Sequence, residues 1–206
     1  MPARNKDLHG NAPDHSPVAL LVIDMINDLE FEGGGRLLPQ AARAAARIAA
    51  LKRRARASRV PVIYANDNFG RWRSDFREVV EHCLEDDVRG QPLAELLRPE
   101  PEDYFVLKPK HSAFYATTLA TLLQYLGARR LILTGINADN CVLMTAIDAY
   151  VRDFELHVPA DCTASIVRRH KTDALAYMKR MLHADTRAAA KLDLRKLRRG
   201  ARRSQS

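Results

Sequence analysis

The chain has 206 residues, of which 47% are hydrophobic, and a formal net charge of +8 at pH 7. These totals fit one globular domain and exclude a membrane-spanning helix, because no apolar stretch approaches the roughly 20 residues that such a helix needs. The positive charge is concentrated in residues 40–59 and 191–206, which a solvated helix face and a basic tail explain. Nucleic-acid binding through these two segments stays open as the less favoured interpretation.

The two ends of the chain differ in composition from the middle. Residues 1–17 are polar and lack the apolar core of a signal peptide, so they predict a flexible N-terminal arm. Residues 191–206 are basic and predict a disordered tail, which leaves one domain at residues 18–190. The three cysteines follow no disulfide spacing, so we expect reduced thiols in a cytoplasmic protein.

Apolar runs and helical patterns alternate along the chain. The runs predict strands at residues 18–24, 60–65, 104–108, 130–134 and 155–159. The helical patterns cover residues 39–58, 76–84, 92–97, 114–126, 140–152 and 167–182, and residues 186–190 fit an edge strand or a helix equally well. This alternation is typical of an α/β fold, a single-domain three-layer α/β/α architecture with a mostly parallel sheet.

Three of the predicted strands are followed by chemically reactive side chains. Asp24 ends the first strand, Lys108 ends the third, and Cys141 follows the fourth after a break at Gly135. Because ligands bind outside the carboxyl ends of parallel strands, we expect the three side chains to meet at one edge of the sheet. A carboxylate, an ammonium group and a thiol that converge in this way indicate a nucleophilic hydrolase.

Cys141 lies where a strand turns into a helix, with Asp139 or Asn140 as a plausible N-cap. Unpaired backbone N–H groups and the helix dipole favour a thiolate at such a position. A cysteine in such a position can have its pKa lowered from about 8.5 into the range of roughly 3.5–7.5, which is typical of a nucleophile. The alternative is a small buried apolar side chain, which is the commonest fate of an unpaired cysteine.

Three motifs contain these residues: residues 20–29 around Asp24, Lys108 with residues 112–114, and residues 134–142 around Cys141. Together and in this order they resemble the isochorismatase-like cysteine hydrolase superfamily, which includes nicotinamidases and N-carbamoylsarcosine amidohydrolase. The resemblance covers roughly residues 18–181. It implies an isochorismatase-like (Rossmann-like) sheet and a homo-oligomer, either a dimer or a tetramer.

The resemblance also implies a role for each residue. Cys141 would attack a carbonyl carbon, Asp24 would take the thiol proton and return it to the leaving amine, and Lys108 would hold both groups electrostatically. The backbone N–H groups of Asn137 and Cys141 would form an oxyanion hole, next to a cis peptide bond between Ile136 and Asn137. Water would then hydrolyse the thioester.

The presence of Cys141 favours hydrolysis of an amide, carbamoyl or imide C–N bond in a small molecule. Nicotinamidases bind a metal through an aspartate and histidines after the second strand, but this chain has only Asp67 there and no histidine between His15 and His82. We therefore expect no metal and no cofactor. Two alternatives stay open: hydrolysis of another carbonyl bond, such as an ester, thioester or carbamate, and a non-catalytic binding or scaffold protein.

The substrate pocket is less well defined by the sequence. Phe69, Trp72 and Asn68 follow the second strand and are candidates for its wall, although core or dimer packing explains the aromatic residues equally well. Ile26 is a further candidate because the resembling family usually has glutamine there. His111 follows Lys108 closely, and two interpretations stay open: a residue that reaches the pocket and a surface loop residue, of which the second is favoured.

Overall fold

The structure is a computed structural model that describes residue 12 and residues 14–68 and 75–199. The strands are β1 (Val18–Ile23), β2 (Val62–Asp67), β3 (Tyr104–Lys108), β4 (Arg130–Ile136), β5 (Glu155–His157) and β6 (Thr163–Ala164). The helices are α1 (Gly34–Ala57), α2 (Phe76–Glu85), α3 (Gln91–Leu96), α4 (Leu119–Leu126), α5 (Leu143–Tyr150), α6 (Arg168–Met181) and α7 (Leu194–Arg199).

The strands form one sheet in the order β3-β2-β1-β4-β5, and β6 extends the pairing of β4 beyond β5. Every pairing among these strands is parallel. Helices connect the parallel strands and cover the sheet, so the α/β prediction is confirmed. The carboxyl ends of β1, β2, β3 and β4 therefore open on the same edge.

β1 lies at the centre of the sheet and separates two apolar cores. Val18, Leu20 and Val22 face the core formed with α1, α2, α3 and α7. The intervening residues of the strand face the core formed with α4, α5 and α6. All six β1 residues are buried, which explains why this strand appears in the sequence as a continuous apolar run rather than an alternating one.

Two helices begin five residues away from the predicted start. α1 starts at Gly34, five residues before the predicted start, and carries Pro39 inside it. Gly34 packs so closely on the preceding loop that a Cβ atom there would lie 1.9 Å from the carbonyl oxygen of Leu29. α4 starts only at Leu119, because the preceding segment forms turns in which the Thr117 hydroxyl donates to the Ala113 carbonyl at 2.6 Å.

The prediction of a disordered tail from residue 191 is wrong for residues 191–199. Leu192 and Leu194 are buried in the core beneath α1, and α7 begins at Leu194. Arg198 donates to the Ser58 carbonyl at 2.7 Å, and Arg130 donates to the Leu197 carbonyl at 2.8 Å. Leucines placed between the cations supply enough apolar surface to anchor this segment. Residues 200–206 lie outside the described residues.

The end of the predicted arm also packs on the domain. Ser16 is buried, and its backbone N–H donates to the Leu126 carbonyl at 2.8 Å. The Tyr104 hydroxyl donates to the Asp14 carboxylate at 2.9 Å. Residues 1–11 lie outside the described residues. None of the helices in the described ranges is long and apolar enough to cross a membrane.

Candidate active site

Asp24, Lys108 and Cys141 meet at the carboxyl edge of the sheet, as the sequence predicts. The Lys108 ammonium nitrogen lies 2.8 Å from Asp24 Oδ2 and 3.6 Å from Cys141 Sγ. Lys108 is fully buried, and Asp24 and Cys141 are 5% and 9% exposed. The ammonium group therefore bridges the carboxylate and the thiol in a site that is largely screened from water.

The backbone holds Asp24 in one orientation. The residue follows β1 directly, with φ of 52°, a conformation that residues other than glycine rarely adopt. Its Oδ1 atom accepts a hydrogen bond from the Asp67 N–H at 2.7 Å, while Oδ2 accepts from Lys108. Both carboxylate oxygens therefore have a partner, and these two contacts fix the orientation of the carboxyl group beside Lys108.

A tight turn between β4 and α5 presents Cys141. Gly135, with φ of 120°, allows β4 to approach β1 so closely that a Cβ atom would lie 1.9 Å from the Ile23 carbonyl oxygen. The peptide bond between Ile136 and Asn137 is cis, as the resemblance implies. Residues Ala138–Val142 then form one π-helical turn, so neither Asp139 nor Asn140 is the N-cap that the sequence suggested.

The predicted low pKa of the nucleophile is wrong for this structure. Burial raises the pKa of the Cys141 thiol to about 12, and the Asp24 carboxylate acts in the same direction against the opposing effect of Lys108. Burial also raises the pKa of Asp24. The pKa of Lys108 is raised because the charges of Asp24 and Cys141 outweigh its burial. The site thus holds a buried ammonium group beside a carboxyl group and a thiol whose pKa values are both raised, so the thiol needs a base before it can attack.

Replacing Asp24 by asparagine is therefore expected to make Cys141 more reactive towards iodoacetamide. The carboxylate raises the thiol pKa, and its removal leaves Lys108 to stabilise the thiolate. Each unit by which the pKa falls should accelerate alkylation at pH 8 about three- to fourfold, since lower nucleophilicity offsets part of the gain in thiolate. Peptide mass mapping over time measures the rate at each cysteine.

Cys83 provides the internal control, because burial raises its pKa to about 12 as well and it packs in the core on the α1 side of the sheet. Its rate should be the same in wild type and Asp24→Asn. Unchanged or slower labelling of Cys141 in the variant would contradict the charge assignment.

The second motif fastens the loop after Lys108 to the helix that follows the nucleophile. The Ser112 hydroxyl donates to the Asp148 carboxylate, and the Ala113 N–H donates to the Thr145 hydroxyl at 3.0 Å. Asp148 and Thr145 both belong to α5. Because residues 112 and 113 are bonded to the helix that follows Cys141, the loop after Lys108 is held at a fixed position relative to that helix. These contacts therefore help to keep the ammonium group close to the thiol.

Two further polar residues contact the site. His111 is exposed, as predicted, yet its Nδ1 atom lies 3.8 Å from Cys141 Sγ. Asp67 Oδ2 lies 3.7 Å from the Lys108 nitrogen. Asp67 ends β2 and His111 follows Lys108 by three residues, so the sequence places both near the carboxyl edge, but it does not specify these contacts.

The pocket candidates have different outcomes. Ile26 is fully buried in the core on the α1 side of the sheet, so its proposed place in the pocket wall is wrong because the side chain has no surface to offer a substrate. Asn68 is 8% exposed at the carboxyl edge, where its N–H donates to the Lys108 carbonyl at 3.2 Å. Phe69 and Trp72 lie outside the described residues. Within residues 14–68 and 75–199, no group of three or more histidines, cysteines, aspartates or glutamates is arranged to hold a metal ion.

Comparison with known proteins extends the resemblance seen in the motifs. The family model for the isochorismatase domain matches residues 18–190. The chain is 41% identical to the uncharacterized isochorismatase family protein YaaI of Bacillus subtilis over 167 residues, 81% of this chain and 91% of that protein. It is 30% identical to a probable inactive nicotinamidase of Arabidopsis thaliana over 175 residues, 78% of this chain and 87% of that protein.

A solved structure is similar over nearly the same length. The N-carbamoylsarcosine amidase of Thermoplasma acidophilum matches with a TM-score of 0.66 and 26% sequence identity, over 85% of this chain and 98% of that one. The sheet order, the converging side chains and these matches agree with the superfamily that the three motifs indicate. The chain belongs to the isochorismatase family.

Proposed function

We propose that the protein is a cysteine-dependent hydrolase that cleaves an amide, carbamoyl or imide C–N bond in a small molecule. The observation that carries the proposal is the buried Lys108 ammonium group, which lies within 3.6 Å of both the Asp24 carboxylate and the Cys141 thiol. Removing a lysine and an aspartate from water costs free energy, which their attraction repays only when the geometry is good. Titratable groups with strongly shifted pKa values cluster at functional sites, so a buried pair that also contacts a thiol supports a catalytic role.

The first half of the reaction forms a thioester. Sγ of Cys141 attacks the carbonyl carbon while its proton passes to Asp24, with which the thiol shares a hydrogen bond. The carbonyl π electrons move to oxygen, and the N–H groups of Asn137 and Cys141 are proposed to stabilise this oxyanion by about 3–4 kcal/mol per donor. The C–N bond then breaks as Asp24 returns the proton to the leaving nitrogen.

The second half regenerates the thiol. Water attacks the thioester carbonyl carbon while Asp24 accepts one of its protons, and collapse of the tetrahedral intermediate expels the Cys141 sulfur, which takes that proton back. Lys108 keeps its proton throughout, because its pKa is raised by the two neighbouring acidic groups. Its fixed positive charge lowers the free energy of every state in which the sulfur carries negative charge.

C–N cleavage is favoured over ester cleavage by the properties of Asp24. An amine leaving group must be protonated as it departs, whereas an alkoxide or thiolate leaves more readily without help. Burial raises the pKa of Asp24, so the carboxylate can take the thiol proton and hold it for the amine. The similarity to an N-carbamoylsarcosine amidase supports the same class of substrate.

Ammonia release from a panel of small primary amides and ureides tests the proposal, with mass-spectrometric product analysis for imides, because cleavage of one imide C–N bond leaves an amide rather than ammonia. We expect release from at least one compound, together with an acyl adduct that intact-mass measurement of acid-quenched samples detects and peptide mapping places on Cys141. An ester and a thioester in the same panel report on the alternative carbonyl bonds. No turnover and no adduct with any compound would contradict the hydrolase and favour a binding or scaffold protein.

A further inference from the structure

A cleft of about 680 Å³ lies between α1 and the beginning of α6. Its wall includes four cationic side chains and one carboxylate: Arg43, Arg47, Arg168, Lys171 and Asp161. Asp24, Lys108 and Cys141 are not among the residues that line it. The cleft is therefore separate from the proposed active site, and its charge has no part in the mechanism above.

The four cations of this cleft lack the carboxylate partners that several other arginines in the described part of the chain have. Arg130 and Arg152, for example, each lie within 2.8 Å of a carboxylate oxygen. In contrast, no carboxylate of the described residues lies within 4 Å of the charged groups of the four cleft cations. Among the residues that the structure describes, Arg43 donates only to the carbonyl of Pro39 in its own helix, at 3.1 Å.

The single carboxylate in the cleft is already engaged. Asp161 Oδ1 accepts a hydrogen bond from the Ala189 N–H at 2.8 Å, which ties it to the segment that precedes α7. Four positive charges and one negative charge therefore share one concave surface. Like charges that converge in this way repel each other, and a bound anion would relieve the repulsion.

The donors are placed on two separate elements that face each other across the cleft. Arg43 and Arg47 are four residues apart on α1 and so share one face of that helix. Arg168 and Lys171 lie in the first turn of α6. The Lys171 nitrogen is held by a hydrogen bond to the Thr163 carbonyl at 2.7 Å, which leaves two of its three donors for a ligand.

We propose that this cleft binds a small oxyanion with two or more negative charges, of the phosphate-ester or polyphosphate class. Guanidinium groups bind phosphate oxygens through two parallel hydrogen bonds, and several of them together favour a multiply charged ligand over a single carboxylate. The volume of the cleft is that of a site for a small molecule. A polymer such as DNA would instead be expected to follow a longer basic surface.

Isothermal titration calorimetry with the full chain and pyrophosphate, at 150 mM salt, tests the proposal. We expect saturable one-to-one binding to wild type and at least a tenfold loss of affinity in Arg47→Gln/Arg168→Gln, because both side chains are exposed and can be changed without disturbing a core. The matched control is Arg53→Gln, which removes an exposed cation of α1 that does not line the cleft. This control should bind like wild type.

Parallel titrations with inorganic phosphate and with a short single-stranded oligonucleotide separate the sources of the anion. Tighter binding of pyrophosphate than of phosphate supports a polyphosphate group, whereas equal binding supports a single phosphate ester. Equal losses in the cleft variant and the Arg53 control, or no binding of pyrophosphate by wild type, would overturn the proposal in favour of diffuse surface charge. Because the measurement is of binding alone, it is independent of whether the proposed hydrolase activity is found.

Discussion

Replacing Cys141 by alanine is expected to lower kcat/KM for ammonia release by at least roughly 10³-fold. Sγ forms the bond that replaces the C–N bond, and no neighbouring group in the described part of the site offers a comparable nucleophile. The residue is 9% exposed and its side chain is small, so the variant should fold. Steady-state ammonia release with the best compound of the panel, beside a thermal unfolding curve, measures both effects.

The chain provides matched controls for this experiment. Cys83 and Cys162 are also buried, and burial raises the pKa of each thiol to about 12, as it does for Cys141. Neither sulfur has Lys108 among the groups that affect its pKa. Cys83→Ala and Cys162→Ala should therefore keep kcat/KM within a few-fold of wild type. A Cys141→Ala enzyme that retains more than a tenth of the wild-type rate would contradict covalent catalysis.

Replacing Lys108 by methionine is expected to destabilise the fold by roughly 3–5 kcal/mol at pH 7, besides abolishing activity. The side chain is fully buried, and its charge compensates the carboxylate of Asp24 at 2.8 Å. Methionine fills a similar volume but leaves that carboxylate buried without its partner. Urea unfolding followed by circular dichroism measures the loss.

The pH dependence of this variant has a definite sign. Lys108 lowers the pKa of Asp24, so without it the pKa of Asp24 in the folded state rises further above the value of the unfolded chain. The folded state then binds a proton more tightly than the unfolded state. The free energy of unfolding of Lys108→Met should therefore increase as the pH falls through the raised pKa, until the unfolded chain is protonated near pH 4.

A double variant isolates the electrostatic part of this loss. Asp24→Asn combined with Lys108→Met removes both charges, so it should be more stable at pH 7 than Lys108→Met alone and should lose the pH dependence. Both variants should be inactive in ammonia release. If the loss of unfolding free energy in the double variant equals the sum of the losses in Asp24→Asn and Lys108→Met, the ion pair does not account for the instability of Lys108→Met.

The fold and the three central residues follow from local patterns. Continuous apolar runs indicate strands that are buried on both faces, and alternation with helices indicates a parallel sheet. In such a sheet every strand points the same way, so residues that end separate strands must share an edge. This is why the proximity of Asp24, Lys108 and Cys141 could be predicted from the sequence although the three residues are distant along the chain.

Properties that depend on contacts between distant segments could not be read in the same way. Leu192 and Leu194 have cationic neighbours in the sequence, which suggest an exposed segment. Their burial depends on packing against the apolar face of α1, which lies far away along the chain. Ile26 follows a motif residue, yet packing against the helices on the α1 side removes it from any pocket. His111 belongs to a loop whose path, and therefore whose contact with Cys141, is set by its neighbours.

The α/β architecture, the family and the chemical identity of the converging groups follow from the amino-acid sequence, because strand periodicity and motif spacing are local properties of the chain. The pKa shifts of these groups and the location of the basic cleft depend on contacts between distant segments. The pKa of Cys141 rises rather than falls because burial and the Asp24 carboxylate outweigh the effect of its place near the start of a helix. The cleft exists only because α1 and α6, more than a hundred residues apart, bring their cations to one surface.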